Sequence, residues 1–382
     1  MKKLTILIAV AVAVCFSVPA LAVDWNFYGS ARMQTFYIST DEKDVGDKST
    51  EFQWDFQSGS RIGANVKADH LKGQIELGLN GNRSGAGDGV DLDSSPGGDG
   101  SVTTRRAYGE WNFGAGKFKV GKDYTPVSTF VSAQTFDGDA GLIGYGAPYA
   151  GRPGQLALTF GGFDVALITP KVDKDLEDPV SGDDALDSGS PKRILPKIEA
   201  SYGMGFDAWN FKVFGGYQYY SIKNVESLTN PGDTDDISVT SYIIGGSGMF
   251  NFGPAFVGAQ IQYGQNMGNA RWSGGGASNA SWDGDDDTND VDTLGGIVVA
   301  GMKVSDMLSF EGGFGYIQDD PDTPNGFDEK TKRWSAYINS TIAMAPGVYI
   351  VPEVGMYEFG NNPEDEDQGS QFYLGAKWQI DF

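Results

Sequence analysis

Five basic side chains share the polar parity of alternating segments: Arg32, Arg61, Arg106, Lys119 and Lys377. A period of two places such residues on one face of a β-strand, opposite the apolar set. Fixed cations on one face of a sheet do no covalent chemistry. Around a water-filled space they sort ions and dipoles. The inward-parity acids Glu76, Glu110 and Asp55 offer these cations a second role, as partners in ion pairs that stiffen a wall. Tyr28 and Tyr108 fall on the same face and either line the path or fill space. Covalent catalysis finds little support. The one histidine, His70, stands alone in a short connection, whereas a barrel hydrolase needs a Ser–His pair on one face. No Cys/His metal set and no phosphate-binding loop occurs, and Gly245-Gly246-Ser247-Gly248 lies within a strand. No enzyme activity is expected.

The elements that must position these residues are strands. In the last of them Phe372, Leu374, Ala376, Trp378, Ile380 and Phe382 alternate with Gln371, Tyr373, Lys377, Gln379 and Asp381. The second reads the same way: Phe52, Trp54, Phe56, Ile62, Ala64 and Val66 on one face, Glu51, Gln53, Asp55, Gln57, Arg61, Asn65 and Lys67 on the other. A soluble sandwich buries its apolar faces between two sheets. A membrane barrel turns them to lipid and keeps the polar set around water. The expected fold is all-β, a transmembrane antiparallel barrel of about 16 strands. Two charges break the parity, Arg105 and Glu358, both toward the long-loop ends of their strands; Arg105 is expected on the outer face, against a neighbouring subunit.

The N-terminus carries Lys2 and Lys3, an apolar run from Leu4 to about Val18, and Ala20-Leu21-Ala22 as a cleavage site. This is expected to be a signal peptide over 1–22, leaving a barrel domain over 23–382. Cys15, the single cysteine, would leave with it, so no thiol chemistry remains. The net charge of −23 becomes −25 once Lys2 and Lys3 are removed, which argues against nucleic acid as a partner. The 55 glycines and 13% aromatic content suit curved strands and interfacial girdles.

Sixteen strand candidates run from 24–38 to 370–382, with long and short connections in alternation. Eight long loops and seven tight turns put both termini at the short-turn end. The acidic tracts Asp283-Gly284-Asp285-Asp286-Asp287 and Glu364-Asp365-Glu366-Asp367 are loop tips. No cofactor is expected. Ca²⁺ or Mg²⁺ at these tips, bridging to lipopolysaccharide, is the alternative to plain solvated charge, although the first tract lacks the glycine of an EF-hand loop.

The connection Tyr124–Gly154 differs from the others. It is less acidic and carries Val127, Phe130, Val131, Phe136, Leu142, Ile143, Tyr145 and Tyr149, and a long loop with apolar residues of its own packs on something. The chain leads into it through Val120-Gly121-Lys122-Asp123-Tyr124-Thr125-Pro126, preceded by Arg106-Ala107-Tyr108-Gly109-Glu110. These segments resemble those of the Gram-negative general porins, the trimeric sixteen-stranded outer-membrane family, with Lys122 where many members have Arg. The resemblance implies that the third loop folds into the barrel and narrows it. Asp137 and Asp139, flanked by Gly138 and Gly141, would form the acidic lip of the constriction, facing the wall of Arg32, Arg61, Arg106, Lys119 and Lys377. It also implies a homotrimer in the outer membrane, in contact with lipid and lipopolysaccharide.

The expected function is passive diffusion of ions and small hydrophilic solutes through a water-filled channel. Acidic loops enrich cations at the mouth and the basic wall pulls the other way, with the balance tilting weakly toward cations. The alternatives are a channel selective for a sugar, an oxyanion or a dicarboxylate, and a non-conducting structural or adhesin barrel.

Overall fold

The computed structural model describes residues 23–43, 46–80, 101–172, 174, 176, 189–227, 232–274, 276–284, 286–322, 330–361 and 366–382. The expected signal peptide, residues 1–22, and most of the second loop lie outside this set, as do Asp285 of the first acidic tract and Glu364 and Asp365 of the second.

One antiparallel sheet closes on itself in sixteen crossings. The first half comprises β1 (Asp24–Glu42), β2 (Asp47–Phe56), β3 (Arg61–Ala68), β4 (Leu71–Asn80), β5 (Ser101–Asn112), β6 (Lys117–Lys122), β7 (Gly154–Phe160), β8 (Phe163–Ile168), β9 (Ser190–Arg193) and β10 (Lys197–Gly205). The second half comprises β11 (Trp209–Glu226), β12 (Thr234–Phe252), β13 (Ala255–Gln265), β16 (Val291–Lys303), β17 (Leu308–Pro321), β18 (Thr331–Ala345), β19 (Val348–Glu358) and β20 (Ser370–Asp381). The remaining pair, β14 (Ser281–Trp282) and β15 (Thr288–Asn289), is a small hairpin inside the sixth loop. The segments β2 and β3 are two halves of one crossing, since both pair with β1, and β9 and β10 both pair with β11.

Closure is made by β1 and β20, paired from Ser30↔Asp381 to Asp41↔Ser370. Phe382 completes the seam: its carbonyl accepts from Gly29 N at 2.7 Å and its own N–H donates to Gly29 O at 3.1 Å. A closed sheet leaves no row of unpaired backbone groups, which is the condition for strands in hydrocarbon. The alternation sorts as the sequence requires. Phe52, Trp54, Ile338, Leu374, Trp378 and Phe382 are exposed on the outer face, whereas Tyr337, Asn339 and Tyr373 are buried inside. His70 sits in the turn between β3 and β4, its carbonyl accepting from Asn112 N.

Two irregularities interrupt the pairing in the wall that carries the arginines. Residues 57–60 form a detour between β2 and β3, where Gln57 N donates to Arg32 O and Arg32 N donates to Ser60 Oγ, both at 2.9 Å. The register of β4 with β5 shifts between Glu76 and Leu77. An extra residue in one strand re-aims the side chains around it. The second shift overturns the outward placement of Arg105: its Nε donates to Glu76 Oε1 at 3.0 Å, so Arg105 and Arg106 both face the lumen.

Ile338 lies mid-strand on the outer face and is 63% exposed. Ile338→Arg is expected to destabilise the barrel by about 2–4 kcal/mol in lipid vesicles, read from reversible denaturant unfolding. The same change should cost much less in detergent micelles, and equal cost in both would show that this face does not meet hydrocarbon.

Candidate functional site: the loop-narrowed lumen

The third loop is latched at its base. Gly121 closes β6 at φ 132°, and a β-carbon there would collide with the Ala107 carbonyl and lie 2.7 Å from Tyr108 Cα, so the quoted motif needs glycine at this position. The Asp123 carboxylate then takes Arg106 Nε at 2.7 Å and Lys119 Nζ at 2.6 Å. Gln155 Nε2 donates to the carbonyls of Asp123 and Tyr124 at 2.8 and 2.9 Å, joining the two ends of the loop.

From this base the loop crosses the lumen to the far wall. Val127 N donates to Glu199 Oε2 at 3.0 Å, and Lys212 Nζ donates to Ser128 O at 3.0 Å. The anchor is Glu353 on β19. It accepts from Thr135 N at 2.7 Å, Phe136 N at 2.9 Å, Thr135 Oγ1 at 3.0 Å and Asn339 Nδ2 at 3.0 Å. Glu311 repeats the arrangement two strands away, on β17, accepting from Ala133 N at 2.6 Å and from the Tyr337 hydroxyl. Charged acceptors on neutral amides make strong hydrogen bonds when water is excluded. Between them, Phe136 stacks on Tyr373 at 3.9 Å between centroids and meets Phe36 edge-on at 5.0 Å. With Ile38, Leu142 and Tyr357 they make an apolar cluster inside the barrel. These inward apolar residues of β1, β19 and β20 are the seat of the loop and fill that side of the lumen.

The tip then turns sharply. Phe136–Asp139 has one helical hydrogen-bonded turn, but Asp137, Gly138 and Asp139 all have positive φ (53°, 77° and 64°). The turn drives Asp139 back into the wall of β1 and β20. Its carboxylate receives the Arg32 guanidinium, Lys377 Nζ at 2.8 Å and Gln57 Nε2 at 3.4 Å. Asp137 lies on the other side of the turn, partly exposed, where its charge acts on Tyr145 and Tyr357.

Of the seven residues singled out from sequence, the structure therefore joins three, Arg32, Lys377 and Asp139, in direct contact rather than across a gap. Arg106 and Lys119 meet on Asp123, and Arg61 lies 3.7 Å from Glu76. Glu110 pairs with Lys117 at 3.7 Å rather than with an arginine. The cations of this wall are largely charge-matched. Tyr28 donates to Glu76 at 2.9 Å and accepts from Gln74 at 2.7 Å; Tyr108 lies under Arg106 and Lys119.

Four features escaped sequence reading. Asp123 lay inside the quoted motif, four residues from Lys119, and the i,i+4 acid was the available signal. Arg105 was hidden by the shift in register. Tyr124 and Arg152, at the two ends of the loop, are bonded at 3.0 Å, with Arg106 and Arg152 on the Tyr124 ring. Tyr124 also borders, with Arg61, Glu76 and Arg106, a cavity of about 390 Å³ that opens on the short-turn side.

The fourth is a second inward loop. Residues 266–274 and 276–280 of the sixth loop fold into the barrel beside the third. Tyr149 N donates to Trp272 O at 2.6 Å, and Gly274 N returns to Tyr149 O at 3.1 Å. Trp272 is fully buried, donates to Glu199 Oε1 at 2.9 Å, and packs where a side chain at Gly216 would stand, 2.7 Å from an added β-carbon. Asp319 holds the loop's far end through Ser278 N at 3.1 Å and Oγ at 2.9 Å, with Arg333 at 3.2 Å. The apolar signal was present in Met267, Ala270, Trp272, Ala277 and Ala280. Among the described residues no group of three or more His, Cys, Asp or Glu converges on a metal-sized site.

No family model matches the chain and no curated protein sequence does. Solved structures do. The outer membrane channel DcaP of Acinetobacter baumannii superposes with a TM-score of 0.71 at 17% identity, over 94% of this chain and 97% of that one. The anion-selective porin from Comamonas acidovorans gives 0.57 at 14% identity, over 94% and 100%. A loop-deletion form of OmpT, an outer membrane protein of Vibrio cholerae, gives 0.56 at 16%, over 94% and 99%. At these identities the likeness is one of fold: the chain has the porin fold.

Glu353→Ala leaves the Thr135 and Phe136 amides without an acceptor. Hydrogen bonds to charged groups contribute about 1.5–3 kcal/mol, so exchange of these two amides is expected to quicken roughly ten- to hundredfold. Unchanged exchange would show that the apolar seat alone holds the loop.

Burial raises the Asp139 carboxyl, but Lys377 and Arg32 outweigh it and hold the group below its ordinary value. A depressed value means that the latch is intact at and above the ordinary carboxylate range and is lost as pH falls through the lowered value. Conductance is expected to stay level from neutral pH through the ordinary range and to change only in stronger acid. Asp139→Asn should show the changed conductance already at neutral pH. A midpoint at the ordinary carboxylate value would contradict the pairing.

Proposed function

We propose that this chain is an outer-membrane pore for passive diffusion of ions and small hydrophilic solutes. The observation that carries this reading is a closed sixteen-crossing barrel whose inner wall is polar and charged, narrowed by loops that leave solvent-lined cavities on both sides. A barrel of this size with an anchored loop has the parts of a sieve. Its fold neighbours include one described as an outer membrane channel and one as an anion-selective porin, which supports the same reading.

The chain would reach the outer membrane after removal of residues 1–22 and would work without a cofactor or catalysis. We infer a homotrimer, as the Vibrio cholerae OmpT neighbour is known in a trimer form. Lipid would cover the outer apolar band, and the acidic loop tips would face lipopolysaccharide, with divalent cations as a bridge. The seven residues Arg32, Arg61, Arg106, Lys119, Lys377, Asp137 and Asp139 would frame the constriction, with Asp123, Arg105, Tyr124 and Arg152 added to them.

Planar-bilayer recording of the refolded barrel tests this. Stable conductance arriving in steps of three is the expected result. A correctly folded barrel that passes no current would leave a structural or adhesin role as the better reading.

A further inference from the structure

The long-loop side of the lumen holds a cavity of about 1030 Å³ between the end of the third loop, the chain after β8, and the inward part of the sixth loop. Six of its lining residues are basic: Lys122, Arg152, Lys171, Arg193, Lys197 and Arg271. Among the described residues none of the lining is acidic. This contrasts with the wall at the third-loop tip, where Asp139, Asp123 and Glu76 answer Arg32, Lys377, Arg106, Lys119, Arg61 and Arg105. In the cavity Lys197 has a carboxylate partner, Glu199 at 3.3 Å. Lys122, Arg152, Arg193 and Arg271 have none among the described residues, and they come from four separate elements: β6, the third loop, β9 and the sixth loop.

We propose that this chamber is a binding site for small oxyanions, solutes bearing carboxylate or phosphate groups, on their way through the pore. The proposal rests on the pore reading above and names its substrate class. Holding four like charges around one concavity is unfavourable unless a mobile anion neutralises them, and among the described residues the chain, at −23 overall, sets no acid in this lining. Low-dielectric walls focus the positive potential into the cavity. Guanidinium forks match the paired oxygens of carboxylates and phosphates. Ser278, Asn279 and Thr169 add neutral polar groups. A sugar site would want aromatic faces, and the lining supplies only Tyr149.

The test uses the mature barrel in planar bilayers with KCl. Succinate or inorganic phosphate is expected to reduce the chloride current in a saturable way, and the reversal potential in a salt gradient should show anion preference; glucose should do neither. Arg193→Gln with Arg271→Gln should weaken the block at least tenfold and shift the reversal potential toward cations. Lys303→Gln, at the short-turn rim beside Asp306, should leave the block intact. Block by succinate alone assigns the site to carboxylates, by phosphate alone to phosphates. A conducting barrel without saturable block, or with block unchanged in the double variant, overturns the proposal and leaves the pore standing. A barrel without current fails the pore reading instead, and calorimetry of both anions on the detergent-solubilised protein then decides the site: heat of binding lost in the double variant upholds it, no heat overturns it.

Discussion

A strand in hydrocarbon must give every backbone N–H and C=O to another strand, and this requirement shapes the whole molecule. It forces the sheet to close, β1 against β20, with Phe382 taking both of its last bonds from Gly29. Closure then creates an inside that is too wide for strand side chains to fill. The inside must be hydrated or occupied, and here it is partly each. Two loops enter it, and each brings apolar residues to bury and amides to satisfy. Glu199, Glu311, Glu353 and Asp319 are inward acids that meet those amides and hydroxyls. The acids are thus the fixtures on which the loops hang.

The placement of the loops divides the electrostatics of the lumen. Where the third loop returns to the wall, the turn at Asp137–Asp139 carries an acid onto Arg32 and Lys377. At its base Asp123 does the same for Arg106 and Lys119. Matched pairs of this kind set shape more than they set a field. Four cations without carboxylates among the described residues, Lys122, Arg152, Arg193 and Arg271, gather on the long-loop side, where the third and sixth loops meet across Tyr149 and Trp272. A net charge of −23 describes the chain as a whole and says little about this chamber. Solutes respond to local potential within a screening length, so composition and lumen point in opposite directions.

Sixteen crossings, their order, their faces and the identity of the third loop were legible in the sequence, because a period of two and alternating connection lengths are local properties. The motif around Gly121 was legible as a resemblance, and the structure gives its physical reason in the close approach of Ala107 and Tyr108. Arg105 was misread because a shift of register changes which face a residue takes, and nothing in its neighbours' polarity marks the shift. The inward course of the sixth loop was not read from the sequence, although Met267 and Trp272 carried the same apolar signal that singled out the third. Its acidic tip at 283–287 drew attention away from the apolar residues that precede it.

By itself, the sequence determined that the chain would make a lipid-facing barrel with a polar interior, since alternation acts residue by residue. Only the tertiary structure decided which charges would be matched. Pairs such as Asp139 with Lys377, 238 positions apart, depend on closure bringing the last strand beside the first and on a loop reaching across the lumen. Spacing along the chain holds no record of such distances. The same is true of Lys122, Arg152, Arg193 and Arg271, which become one site only because two loops fold inward and bound a single cavity.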